Sequence, residues 1–187
     1  MRKRPTQRDR THKALAEFCL WFDVGLDPSI HNVLELKKAN PPGITNPVLR
    51  FAVPRAMNYV VERFALEVVQ AWELVNEELR RNQMRTMGVT NRDFRHLKRI
   101  RNKLIAHKVE NFLRSQRHEN WYKKTYGSYE SVLALIRRVA EKVDAKIRLL
   151  QAKGLIPPLA VSSRRVDKFG AGEIDALLAA LKAKGVY

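Results

Sequence analysis

Between Arg55 and Asn82 the apolar residues Met57, Val60, Val61, Phe64, Val68, Ala71, Trp72, Val75 and Leu79 step by threes and fours without interruption. That spacing describes one face of a long α-helix, and a helix so patterned must bury the stripe against other elements. Apolar positions elsewhere also fall at helical spacing, and no convincing run alternates with a period of two. The expected fold class is therefore all-α, a helical bundle built around this central helix.

The other elements follow from caps and breakers. Thr11 to Phe22 reads as a first helix burying Leu15, Phe18, Cys19 and Phe22, preceded by a basic arm over residues 1–10 that holds Arg2, Lys3, Arg4, Arg8 and Arg10 and is expected to be mobile. Asp27 and Pro28 give an N-cap and a first helical residue, and Ile30, Val33, Leu34 and Lys37 continue a short helix. From Asn40 to Pro54 the prolines predict a loop whose Val48, Leu49, Phe51 and Val53 pack on the core. Thr90 with Asp93 resembles a capping box, opening a helix towards His107 with the stripe Phe94, Leu97, Ile100 and Leu104. Residues Lys108 to Gly127 predict a loop or a short broken helix. Ser128 then caps a long helix carrying Val132, Ile136, Val139, Val143, Ile147 and Leu150, which Gly154 stops. The expected organisation is an arm over 1–10, a bundle over 11–153, and a linker with a C-terminal amphipathic helix (Ile174, Leu177, Leu178, Leu181) over 154–187. That last helix packs on the bundle or at a dimer interface.

A length of 187 residues suits one compact unit. Lysine and arginine total 36 against 19 acidic residues, a net charge of +17, which points to a polyanionic partner. No apolar run approaches the roughly 20 residues needed to span a bilayer, and the amino terminus lacks the pattern of a signal peptide. A soluble, cytoplasmic protein without membrane contact is expected. Cys19 is the single cysteine, so there is no internal disulfide and no multi-cysteine zinc site; it reads as a small core residue.

The charge is concentrated. Arg80, Arg81, Arg85, Arg92, Arg95, Lys98, Arg99, Arg101, Lys103 and Lys108 share their stretch with one acid, Asp93. Such a run can be a solvated face of a basic protein, but charge gathered along one helix also attracts phosphate. Arg92, Arg95, His96, Lys98, Arg99, Lys103 and Lys108 are the expected nucleic-acid contacts. Trp121, Tyr122 and Tyr126 beside Lys123 and Lys124 have the chemistry to stack bases, or to pack ahead of the next core helix. His12, His31, His96 and His118 lack the spacing of zinc ligands. No phosphate-binding glycine loop, dinucleotide fingerprint or serine nucleophile motif is present.

Within the basic stretch lies Arg101-Asn102-Lys103-Leu104-Ile105-Ala106-His107. It resembles the signature of the HEPN superfamily of helical ribonucleases: an arginine, a polar residue, and a histidine after four to six intervening residues, near the end of a bundle helix. The Arg-Asn-Lys start and Ala-His-Lys end are similar to HEPN proteins of toxin and phage-defence systems, and the resemblance covers about Arg55 to Leu150. It implies an antiparallel bundle of HEPN type and a metal-independent endoribonuclease without cofactors, toxin-like or defence-related, acting on RNA as a homodimer. An antitoxin or defence-system partner is implied by the resemblance alone. The family also contains inactive members, so a nucleic-acid-binding or dimerisation module of a mobile element is the alternative.

The residue types suit that chemistry. Histidine moves protons near neutral pH, which assigns His107 to proton transfer. Arginine carries a permanent planar charge that binds phosphate oxygens, which assigns Arg101 to phosphate and transition-state stabilisation. Asn102 is expected to orient His107 or the substrate. Positions 101 and 107 are separated on a regular helix by about 120° and about 9 Å of rise, so one chain brings them together poorly. The resemblance implies the answer, a two-fold dimer with two motifs lining one cleft, and the ribonuclease reading requires that dimer. The plainer reading is that His107 satisfies the last carbonyls of its helix and Arg101 is one more solvated charge.

Overall fold

The computed structural model describes residues 5–38, 47–88, 91–105, 124–125, 127–157, 179 and 183, the side chains at 36, 47–56, 58–59 and 103–105 excepted. Among them the regular structure is helical, with no strand. Five helices are delimited: α1 (Gln7–Val24), α2 (Leu26–Lys38), α3 (Pro47–Arg81), α4 (Arg92–Ile105) and α5 (Tyr129–Ala152). The fold is all-α, and no described helix is long and apolar enough to cross a membrane.

Helix α3 is the axis of the bundle and touches each of the other four. Its whole predicted stripe, Met57 through Leu79, is buried. Ion pairs and ring contacts fix the directions. Along α1, His12 meets Glu78 and Trp21 meets Phe64, so α1 runs antiparallel to α3. Asn76 meets Met87 in the connection and Trp72 meets Phe94, so α3 and α4 form an antiparallel hairpin. Lys37 pairs with Glu130 and Asp27 with Arg137, so α2 runs antiparallel to α5.

Two aromatic groups mark the core. Trp21 packs against Phe18 and Phe64 at centroid distances of 5.5 and 5.4 Å, joining α1 to α3. Trp72 stacks on Phe94 at 4.4 Å with planes 9° apart, locking α4 onto α3. A stack of two buried rings adds about 0.5–1.5 kcal/mol beyond area burial. On α5, Val132, Ile136, Val139, Val143, Ile147 and Leu150 are all buried, as their spacing predicts.

Several boundaries differ from expectation. α1 begins at Gln7, inside the span read as a mobile arm, because Thr6 and Asp9 form a reciprocal capping box. Arg8 and Arg10 therefore sit on a helix; residues 1–4 lie outside the described residues. α2 starts at Leu26, with a single residue between it and the end of α1, so Pro28 is its third residue. The single joint is Gly25, where a Cβ would come within 2.8 Å of the Trp21 ring.

The loop expected up to Pro54 ends sooner. α3 starts at Pro47, whose fixed φ suits a first helical residue, and continues through Pro54. An interior proline removes one helical hydrogen bond and costs about 3 kcal/mol, but tertiary burial of a long apolar stripe outweighs a local penalty of that size. The cap of α4 is Asn91, whose Oδ1 accepts from the Phe94 N–H at 3.2 Å; Thr90 lies outside the described residues. Ser128 caps α5 as expected, through the Ser131 N–H. At its far end Gly154 takes φ +68°. The Leu155 N–H then bonds the Leu150 carbonyl at 2.9 Å. Ile156 is fully buried, so the core reaches two residues past the glycine expected to open the linker. Of the expected C-terminal helix only Ala179 and Ala183 are described, both helical and exposed. Ile174, Leu177, Leu178 and Leu181 lie outside the described residues, as do Trp121, Tyr122 and Tyr126.

Candidate functional site

α4 carries the candidate site, and its amphipathic register decides which charges face where. Phe94, Leu97 and Ile100 are buried against the bundle. Leu104 lies outside the residues whose side chains are described. With the apolar face fixed inward, the 100° step per residue aims Arg92, Arg95 and Arg99 outward, within about 60° of one another. All three are exposed, and among the described residues no ion pair engages them. Their successive axial separations are about 4.5 and 6 Å. An unneutralised row of guanidinium groups at that spacing suits the backbone of a nucleic acid.

Arg101 points elsewhere. It lies roughly 150° around the helix from the centre of that row, over the seam with α3. Its side chain is 18% exposed, and Nη1 stands 3.2 Å from Oε2 of Glu73 on α3. Its Nε donates to Asn102 Oδ1 at 3.1 Å. Lys98 reaches the same carboxylate, with Nζ 3.5 Å from Oε1, and lies 6.0 Å from the centre of the Phe94 ring. One carboxylate thus sits between two cations, leaving one net positive charge. Asn102 is exposed on the edge of the outward row and connects it to Arg101.

The third side of α4 faces α5. Asp93 has Lys142 Nζ at 3.4 Å and Arg138 Nε at 3.5 Å. Burial pushes its carboxyl upward, but hydrogen bonds from Arg138 and Lys142 prevail and hold it below the usual carboxylate range. His96 is half-buried.

The structure thus divides what the sequence presents as one basic run. Arg92, Arg95 and Arg99 form an outward row, while Lys98 and Arg101 converge on Glu73. Asn102 adjoins both groups. His107, Lys108 and the side chain of Lys103 lie outside the described residues.

Three residues that sequence reasoning passed over organise this region. Glu73 shares α3 with its buried neighbour Trp72, yet its partners are 25 and 28 positions away, and periodicity carries no signal for them. Asn76, buried, donates through Nδ2 to the Met87 carbonyl and accepts the Met87 N–H at Oδ1, clamping the chain that leads into α4. A polar residue inside the apolar stripe was the available signal. Glu78 is fully buried; its Oε1 accepts from Arg81, and its Oε2 faces His12 Nε2 at 3.5 Å and Arg8 Nε at 4.0 Å. That cluster fastens the start of α1 to the end of α3.

Cys19 is buried as expected. Burial, then the neighbouring Asp144 carboxylate, push its thiol far above the usual range, so it is unsuited to act as a nucleophile. Among the described residues no group of three or more His, Cys, Asp or Glu side chains is arranged to hold a metal ion. No protein-family model, curated protein or solved structure matches the chain.

Proposed function

We propose that this chain is an endoribonuclease of HEPN type that cuts RNA without a metal ion and works as a two-fold homodimer. The observation that carries the reading is the sequence Arg101-Asn102…His107, whose first two residues stand near the end of a helix with Arg92, Arg95 and Arg99 on its outward face. The outward row holds the RNA backbone through its phosphates, and Arg101 stabilises the charge that grows on the phosphate under attack. The 2′-oxygen forms a new bond to phosphorus as the bond to the 5′-oxygen breaks. The His107 imidazole of one protomer takes the 2′ proton beside Arg101 of the other, and a water molecule supplies one to the departing 5′-oxygen. The products are a 2′,3′-cyclic phosphate and a 5′-hydroxyl. A toxin-like or defence-related role, with a restraining partner, belongs to the same proposal.

The test is cleavage of a short labelled RNA by purified protein in excess EDTA. The expected result is a 2′,3′-cyclic phosphate end, sparing of the same site carrying a 2′-deoxy sugar, and loss of activity in folded Arg101→Ala and His107→Ala variants. Cleavage that survives both substitutions would remove the site assignment.

A second reading is favoured by one observation, the engagement of Arg101 by Glu73. In that reading the pair is a bundle contact, and the outward row alone serves a non-catalytic RNA-binding module. Binding then occurs without turnover. Its salt dependence falls by about 0.7 in log–log slope for each of Arg92, Arg95 and Arg99 replaced by alanine.

A further inference from the structure

We propose that Glu73 is the positioning residue for Arg101, fixing the guanidinium in the orientation that the reacting phosphate meets. The inference rests on the ribonuclease reading above and adds to it a residue from a different helix.

Three observations carry it. Arg101 is held at two separate points: Nη1 by Glu73 Oε2 and Nε by Asn102 Oδ1. An arginine has five N–H groups, so this arrangement orients the plane of the guanidinium and leaves the Nη2 amino group unused by either partner. Second, the carboxylate is balanced on its other oxygen by Lys98. Glu73 therefore orients Arg101 without cancelling the positive charge of the seam, and a phosphate still meets net attraction. Third, stability gives little reason for the contact. Glu73 is 43% exposed, and an ion pair with one partner so hydrated contributes little to folding. Orientation is what a half-exposed carboxylate under a half-buried arginine can supply, and transition-state stabilisation depends on such preorganisation.

The consequence separates turnover from binding. Glu73→Gln keeps the shape of the side chain and one acceptor oxygen but removes the charge, weakening the hold on Arg101 and leaving Lys98 and Arg101 both uncompensated. Binding of RNA should then be as tight or tighter, with a salt slope steeper by about 0.7, because one more cation is available to phosphate. kcat should fall on the order of 10–100-fold, the usual cost of a misplaced catalytic group. Glu73→Asp, which retains the carboxylate one methylene shorter, should recover part of the lost kcat.

The experiment compares kcat, KM and RNA affinity for the full-length wild type, Glu73→Gln, Glu73→Asp and Arg101→Ala, with thermal melts to confirm folding. Support is a drop in kcat for Glu73→Gln with affinity kept or raised, and partial rescue by Glu73→Asp. If Arg101→Ala abolishes cleavage while Glu73→Gln turns over like the wild type, Glu73 has no positioning role and the ribonuclease reading stands. The role also fails if Glu73→Gln loses affinity and kcat together. If the wild type does not cleave RNA, or Arg101→Ala leaves cleavage intact, the underlying reading fails and the Glu73 role with it.

Discussion

Replacing Asn76 by alanine should destabilise the protein more than any other polar substitution on α3 that spares the ion pairs, because this side chain satisfies both backbone groups of Met87. Its Oδ1 accepts the Met87 N–H at 2.7 Å and its Nδ2 donates to the Met87 carbonyl at 3.2 Å, with both residues buried. A typical hydrogen bond contributes about 1 kcal/mol net, and a buried group stranded without a partner costs about 1–3 kcal/mol. With a donor and an acceptor stranded together, and some relief from water entering the turn, the expected loss is about 2–4 kcal/mol. For a chain of this size that lowers Tm by roughly 5–15 °C. Urea unfolding followed by far-UV circular dichroism, at one fixed protein concentration, measures it. Asn76→Asp keeps the acceptor but turns a carboxylate oxygen towards the Met87 carbonyl in a buried site, so at pH 7 it should be at least as destabilising as Asn76→Ala. Because the clamp sets where α4 begins relative to α3, the Glu73–Arg101 contact should loosen in step. An Asn76→Ala protein within about 0.5 kcal/mol of wild type, with an unchanged m-value, would refute the reasoning.

Two further outcomes follow from ionisation. Asp93 has its carboxyl held low by Arg138 and Lys142, so its stabilising contribution is complete above the unfolded value of about 4 and is lost as pH falls through the lower folded value. The stability gap between wild type and Asp93→Asn, from urea melts at pH 7 and pH 3, should therefore shrink on acidification; a gap that widens contradicts the assignment. Cys19, with its thiol raised by burial, should resist a water-soluble disulfide reagent at pH 8 in the native protein and react once unfolded by guanidinium. Fast stoichiometric labelling without loss of helix signal would show that the thiol is accessible.

Much of the bundle was legible because burial imposes a period. Every member of the α3 stripe and of the α5 stripe from Val132 to Leu150 lies in the core. The errors cluster where a local signal competes with a distant one. Pro54 marks a break by its own chemistry, yet it is helical within an element that the later stripe holds in place. Thr90 and Asn91 are both good caps side by side, and the observed cap is Asn91, so the cap signal alone gave the wrong residue. The basic residues up to Arg10 carry the composition of a solvated arm, but the capping pair Thr6 and Asp9 within them starts the helix at Gln7.

The candidate site was legible in a different sense. Periodicity correctly puts Phe94, Leu97 and Ile100 inward, and from them the outward aim of Arg92, Arg95 and Arg99 follows. The same arithmetic turns Arg101 towards α3, away from the row with which composition groups it. Which residue waits there depends on how two helices pack, and Glu73 becomes visible only in three dimensions. The link between Glu78 and His12 is hidden for the same reason, being set by the antiparallel course of α1 along α3.

The claim on which the functional account depends is that Arg101 of one protomer works with His107 of another. Mixing purified Arg101→Ala and His107→Ala proteins after reversible dissociation, then assaying RNA cleavage in EDTA, tests it directly. Each variant alone should be inactive, and the mixture should regain activity, because a mixed dimer restores one complete arginine and histidine pair. A mixture that stays silent, under conditions where remixed wild type cleaves and mixed dimers are demonstrated, would contradict the shared site.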